Sequence, residues 1–174
     1  MRRLMLLRHA KTERAEPGER DRDRKLMKRG GSDAPVIGAY MAQHNFVPDL
    51  ALVSAATRAQ ETWALVAPCF AKAPRMVTEE RIYNANPAQL FDVIRETRAA
   101  KALLLVGHNP SFHDLARQLI ASGEMEAREQ LSEGLATSGL VVIDLPIDDW
   151  SLLHPQAGRL VRFVTPRILA AATE

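Results

Sequence analysis

Two histidines and two arginines, each placed at the end of an apolar run, are the residues of this chain best suited to chemistry. Leu6-Leu7-Arg8-His9 closes the first run. Arg58 comes just after Leu50-Ala51-Leu52-Val53-Ser54, and His108 just after Leu103-Leu104-Leu105-Val106-Gly107. A neutral imidazole nitrogen can attack phosphorus and hold the phosphoryl group until water releases it. Guanidinium groups present a fork of fixed donors that neutralises phosphoryl oxygens. A second histidine, if protonated, adds charge and a donor at the transition state without a metal. Arg8, His9, Arg58 and His108 thus supply the parts of a phosphoryl-transfer site, provided that folding gathers three strand exits at one place.

The elements around them predict that gathering. Short β-type runs alternate with amphipathic helical segments, the pattern of a mostly parallel sheet covered by helices on both faces. In such a sheet the carboxyl ends of the strands form one rim, and ligands sit in the crevice there. Strands are expected at Arg3 to Leu7, Leu50 to Ser54, Pro74 to Thr78 (a weaker one), Leu103 to Gly107, and Leu140 to Leu145 beside Leu160 to Val164, the last pair supplying an antiparallel edge. Helices are expected from about Lys28 to Gln43, with Val36, Ile37, Tyr40 and Met41 on one face, and from about Thr57, with Trp63, Val66, Ala67 and Phe70 turned to the core. Asn86-Pro87 and Asn109-Pro110 read as two further helix starts, since asparagine accepts from a free amide and proline suits the first helical position. The helix after Asn109 places Phe112, Leu115, Ala116, Leu119 and Ile120 on one stripe, and its free amides beside His108 favour an anion. The polar stretch from Gly123 to Thr137 predicts a loop or an irregular helix.

At 174 residues and 47% hydrophobic composition, residues 1–174 are expected to form a single domain. Lysine and arginine exceed aspartate and glutamate by only 23 to 21, which argues against a nucleic-acid partner, normally met by a dense basic face. Residues 11–29 interleave both signs of charge and predict a solvated loop. The single cysteine, Cys69, excludes an internal disulfide and suits a reducing compartment. No apolar run approaches the ~18 residues of a membrane span, and the apolar stretch Leu4 to Leu7 is shorter than a signal-peptide core. A cytoplasmic protein without a membrane partner is the resulting expectation.

Three segments also carry a resemblance. Leu6-Leu7-Arg8-His9-Ala10-Lys11-Thr12, Ser54-Ala55-Ala56-Thr57-Arg58-Ala59-Gln60-Glu61-Thr62 and Val106-Gly107-His108-Asn109-Pro110 resemble the signature segments of the histidine phosphatase superfamily, which is phosphoglycerate mutase-like in fold. The match is best to its small branch, the SixA-type phosphohistidine phosphatases. Asp21-Arg22-Asp23-Arg24-Lys25-Leu26 with Arg29-Gly30, and Thr137-Ser138-Gly139-Leu140, extend it along the chain. The resemblance implies a three-layer α/β/α sandwich, His9 as phosphoacceptor, Arg8, Arg58 and His108 as the phosphate pocket, and Arg24 as a further contact. Ala10 replaces the commonest glycine after the histidine, and Lys25 stands where proline is usual. Lys11 and Thr12, beside the nucleophile, either contact phosphate or shape the turn.

An alkoxide leaving group needs a general acid, whereas a phosphorylated imidazole leaves more easily. Glu80, in Glu80-Arg81-Ile82-Tyr83, resembles the donor segment of the mutase branch and is a candidate acid; the equal alternative is a solvated carboxylate paired with a nearby arginine. His44, His113 and His154 match no motif and are given no role. Metal binding is not expected, because no H-x-x-x-H or C-x-x-C spacing occurs and the arginines would repel a cation. Cys69 and Arg75 satisfy C-x5-R, yet Pro74 removes an amide from that loop and no glycine is present, so the pattern is a decoy. The combined expectation is a metal-independent phosphatase without a cofactor, acting on a phosphohistidine-bearing protein. The alternatives are a small-molecule phosphomonoesterase or mutase-like enzyme using Glu80 on a phosphorylated metabolite, and a non-catalytic phosphate-binding module.

Overall fold

A computed structural model describes residues 1–172. In chain order the elements are β1 (Arg2–Arg8), α1 (Lys28–Gln43), β2 (Leu50–Ser54), α2 (Thr57–Val66), β3 (Arg75–Glu79), α3 (Pro87–Arg95), β4 (Ala102–Gly107), α4 (Ser111–Leu119), β5 (Ile120–Gly123), α5 (Met125–Glu133), β6 (Leu140–Leu145), β7 (Gly158–Val164) and α6 (Pro166–Ala172), with short 3-10 turns at Asp21–Asp23 and Glu80–Ile82 among others. The strands form one sheet in the order β3-β2-β4-β1-β6-β7-β5.

The central strands are apolar without alternation because helices cover both of their faces. Side chains still alternate between faces. Leu4, Leu6, Leu50, Leu52, Leu103 and Leu105 pack with Leu90, Phe91 and Ile94 of α3 and Phe112, Leu115 and Leu119 of α4. Met5, Leu7, Ala51, Val53, Leu104 and Val106 pack on the other side with Ile37 and Met41 of α1 and Ala59, Trp63 and Val66 of α2. This is the expected three-layer sandwich. No helix among the described residues is long and apolar enough to cross a membrane.

Register is what positions the site. β1 runs parallel to β4 with Arg8 opposite Gly107, and β2 runs parallel to β4 with Val53 opposite Val106. The first residues past these strands therefore emerge at one level. The His9 amide donates to the Gly107 carbonyl at 2.9 Å and extends the ladder by one step.

Several local expectations are corrected. The antiparallel strand, β6, lies inside the sheet between β1 and β7, while the edge beside β7 is the parallel β5. Ile120 belongs to β5 and not to the helix before it. The polar stretch after Gly123 holds a regular helix, α5, which buries only Leu131 and so lacks an apolar stripe to betray it. On α1, Val36 is 48% exposed, and the buried stripe is Ala34, Ile37, Gly38 and Met41. Asn86 caps α3 through a reciprocal pair with Gln89, as expected. Asn109 does not cap α4: it precedes a cis Pro110 and turns its side-chain amide to the Leu135 carbonyl at 2.8 Å.

Candidate active site

His9 and His108 leave β1 and β4 side by side, and their ring centroids lie 5.3 Å apart. Each residue is only 7% exposed. Arg8, the last residue of β1, donates to the Leu135 carbonyl at 3.0 Å. Arg58 sits in the first turn of α2 and is buried. The charges of Arg58 and Arg8 bear on both rings, so the four side chains expected at three strand exits occupy one place.

Thr62 locks two of these exits together. Its hydroxyl accepts from the Ala10 amide at 2.9 Å and donates to the Arg58 carbonyl at 2.7 Å, which ties the segment of His9 to the helix of Arg58. The Ser138 amide reaches the carbonyls of Arg8 and His9, both at 3.1 Å. The main chain around His9 is thus held from several sides.

The rings are held neutral. Nδ1 of His9 lies 2.8 Å from the Ala10 carbonyl. A carbonyl only accepts, so Nδ1 bears the proton and Nε2 keeps its lone pair. Burial pulls the ring down to about 4; the Ala10 contact opposes this, and the charges of Arg58, Arg8 and Arg24 add to it. His108 is pulled down to about 3 by burial first, then by His9 and Arg58. Burial penalises a charged imidazolium, and neighbouring cations penalise it further. At neutral pH the positive charge therefore resides on the guanidinium groups, and the second histidine is neutral. Nε2 of His108 lies 2.7 Å from Oγ of Ser54, and its Nδ1 is buried with no hydrogen-bond partner among the described residues.

A layer above this cluster contains residues that the sequence did not single out. Asp21 binds Arg58 twice, through its carbonyl at 2.8 Å and its carboxylate at 3.1 Å. The same carboxylate accepts from the Tyr83 hydroxyl at 2.6 Å and from Arg24 at 3.2 Å. The Tyr83 bond, with Arg24 and Arg58, holds the Asp21 carboxyl down to about 2. Tyr83 sets its ring edge-on to His108, 5.6 Å between centroids, and the guanidinium groups of Arg22 and Arg58 face the same ring. Asp21, within the alternating charges of residues 11–29, was legible only as part of the segment that drew attention to Arg24. Tyr83 was legible only as part of the segment that drew attention to Glu80.

The remaining candidates are placed as follows. Arg24 donates to Thr12 Oγ1 at 2.7 Å and to the Glu13 carbonyl at 3.1 Å; its charge reaches His9, so Lys25 in place of proline still leaves the loop at the mouth. Lys11 is exposed, and its carbonyl accepts from the Met27 amide at 2.9 Å. Glu80 has a side chain 70% exposed and paired with Arg22 at 3.3 Å; the structure leaves it outside the buried cluster. Cys69 turns its thiol to the carbonyls of Pro35 and Leu65, away from the exposed Arg75. His44, His113 and His154 each bond a backbone carbonyl, which is structural work.

No family model matches the chain. Among curated proteins it is similar to an uncharacterised protein of Mycobacterium tuberculosis (strain H37Rv), 34% identical over 164 residues, spanning 92% of this chain and 100% of the relative. An uncharacterised protein of Mycobacterium leprae is 32% identical over 169 residues, spanning 92% and 100%. Among solved structures, a protein provisionally named the phosphohistidine phosphatase SixA of Agrobacterium tumefaciens is 33% identical and superposes with a TM-score of 0.81 over 95% of this chain and 98% of that one. The protein histidine phosphatase SixA complexed with tungstate superposes with a TM-score of 0.69 over 96% and 99%. At 18% identity, that last likeness is one of fold.

Proposed function

The chain belongs to the histidine phosphatase superfamily, in its SixA-type branch, and from that premise we propose a metal-independent phosphatase that works through phosphohistidine at His9. One observation carries the reading: a buried, neutral His9 whose Nε2 lone pair is free beside two arginines and a second neutral histidine. In the first step Nε2 of His9 attacks phosphorus in line, the bond to the leaving group breaks, and Arg8 and Arg58 hold the phosphoryl oxygens. In the second step water attacks the phosphohistidine, phosphate departs, and His9 recovers its lone pair.

The substrate we infer is phosphohistidine on another protein. A phosphoimidazole protonated on its other nitrogen departs as a neutral ring and needs no strong acid, whereas an alkyl phosphate ester does. Glu80, exposed and ion-paired, is poorly placed to be that acid, which favours the phosphoramidate. The provisional name of the Agrobacterium tumefaciens neighbour, a phosphohistidine phosphatase at 33% identity, supports the same class.

The test uses rapid-quench labelling with a ³²P-phosphohistidine protein and, in parallel, sugar and glycerate phosphates. Wild type should gain acid-labile label and release phosphate, and His9→Ala should do neither. Turnover by His9→Ala would end the proposal. Faster hydrolysis of a metabolite, lost in Glu80→Gln, would replace the phosphohistidine protein by the small-molecule reading, and phosphate binding without label would leave only a binding module.

A further inference from the structure

We propose that Ser54 is a positioning residue that fixes His108 in the tautomer carrying its proton on Nδ1, so that this buried atom meets a phosphoryl oxygen as a neutral hydrogen-bond donor. Only the identity of the acceptor rests on the phosphatase reading.

Ser54 ends β2 and is fully buried. Its Oγ has two partners: it accepts from the Ala56 amide at 3.2 Å and lies 2.7 Å from Nε2 of His108. Two proton arrangements fit that second contact. If Nε2 donated, the Ser54 hydroxyl proton would have no acceptor, and Nδ1 would be left buried as a bare lone pair. If the hydroxyl donates to Nε2, the Oγ lone pair serves Ala56, the hydroxyl proton is used, and Nδ1 carries the remaining proton. The first arrangement strands two buried groups, the hydroxyl proton and the Nδ1 lone pair, whereas the second strands only Nδ1–H, which a bound anion would satisfy. Unmade bonds are expensive in burial, so the second arrangement is the native one. Charging the ring on both nitrogens is opposed first by its burial, then by the His9 ring at 5.3 Å and the charges of Arg58 and Arg8, against which Asp21 acts in the other direction.

The pocket that results is consistent in kind. Arg8, Arg58 and Nδ1 of His108 all offer N–H groups, and Nε2 of His9 offers a lone pair. An oxyanion with an electrophilic centre matches that set, its oxygens taking the donors and its phosphorus taking the lone pair. No proton leaves His108 in this role; it donates a hydrogen bond that strengthens as charge builds on the phosphoryl oxygens.

The tautomer can be read directly by long-range proton-nitrogen correlation on the ¹⁵N-labelled full chain, with His108→Gln used to assign the ring. Wild type should show a protonated Nδ1 and an unprotonated Nε2 at neutral pH. Ser54→Ala should shift that population and lower kcat about 100-fold, the scale of losing one such donor, with KM changed less than about twofold; Ser54→Thr, which keeps the hydroxyl, should restore both. A wild-type ring protonated on Nε2 would overturn the proposal, as would Ser54→Ala with wild-type kcat. Should Ser54→Ala not fold, the wild-type spectrum decides alone. Failure of the phosphatase reading has a different signature: wild type that never acquires label on His9 while its His108 still carries the proton on Nδ1.

Discussion

Acidification tests whether His9 works as a neutral ring. An ordinary imidazole titrates near 6.5, so at pH 5 only about 3% of it would hold an unprotonated nitrogen. His9 is pulled down to about 4, which leaves about 90% of it neutral at the same pH. The two cases differ roughly 30-fold in available nucleophile. The rate of His9 phosphorylation should therefore stay flat from about pH 8 to about pH 5 and fall only as the pH approaches 4. Because a phosphate monoester has its own ionisation near 6, the profile should be taken by rapid quench with both an aryl phosphate and a phosphohistidine protein, and the shared part assigned to the enzyme. His9 and His108 interact, so the apparent value belongs to the pair. A rate that drops about tenfold per unit between pH 6 and 5 with both substrates would refute the neutral-ring argument. Stability follows the same linkage: the unfolded ring binds its proton near 6.5 and the folded one near 4, so His9's neutral burial costs nothing above about pH 7. As the pH falls toward 4 the unfolded chain gains protons first, and roughly 3 kcal/mol of stability is lost through His9.

Thr62→Val keeps the shape of the side chain but strands the Ala10 amide, and chemical denaturation should register a loss of about 1–3 kcal/mol together with a lower phosphorylation rate. Asp21→Asn weakens three contacts to Arg58, Arg24 and Tyr83; the KM for the phosphorylated protein should rise by about tenfold, while thermal unfolding registers less than about 1 kcal/mol because the carboxylate is half exposed and screened. Glu80→Gln should leave turnover of a phosphohistidine protein within about twofold, the ordinary scale for an exposed pair; a larger loss in steady-state assays would give Glu80 the acid's role. Cys69→Ser should retain the wild-type labelling rate, and loss of label there would revive the C-x5-R loop.

The sequence was most legible where one physical requirement dominated. Buried parallel strands must be apolar on both faces, so Leu4 to Leu7 and Leu103 to Val106 announced themselves, and the chemistry-bearing residues that interrupt such runs stood out against them. It was least legible where a residue's role depends on a partner far along the chain. Asp21 looks like one charge in an alternating tract until the fold brings Arg58 and Tyr83 to it. Ser54 and Thr62 lie in a segment already singled out, yet nothing local says that their hydroxyls reach His108 and Ala10. Helix α5 failed for a simpler reason: with only Leu131 buried, it carries no periodic signal. Asn109 misled because an Asn-Pro pair that caps one helix here serves to bind the Leu135 carbonyl.

In the proposed mechanism, placing the charge on arginine and the reactivity on histidine settles a conflict inherent in phosphoryl transfer. A phosphoryl group needs positive charge around it, and a histidine nucleophile must not carry any. Guanidinium groups do not deprotonate in proteins, so Arg8 and Arg58 remain charged under all conditions where the fold survives. The same two charges, added to burial, hold His9 and His108 neutral. Binding and nucleophilicity are then consequences of one arrangement. Asp21 shows the constraint from the other side: a carboxylate is useful for orienting Arg58, yet next to His9 it would favour the imidazolium and repel the incoming phosphate. Its carboxylate, half in solvent, orients Arg58 while held by Tyr83 and Arg24, and its pull on His108 is outweighed by burial and the two arginines.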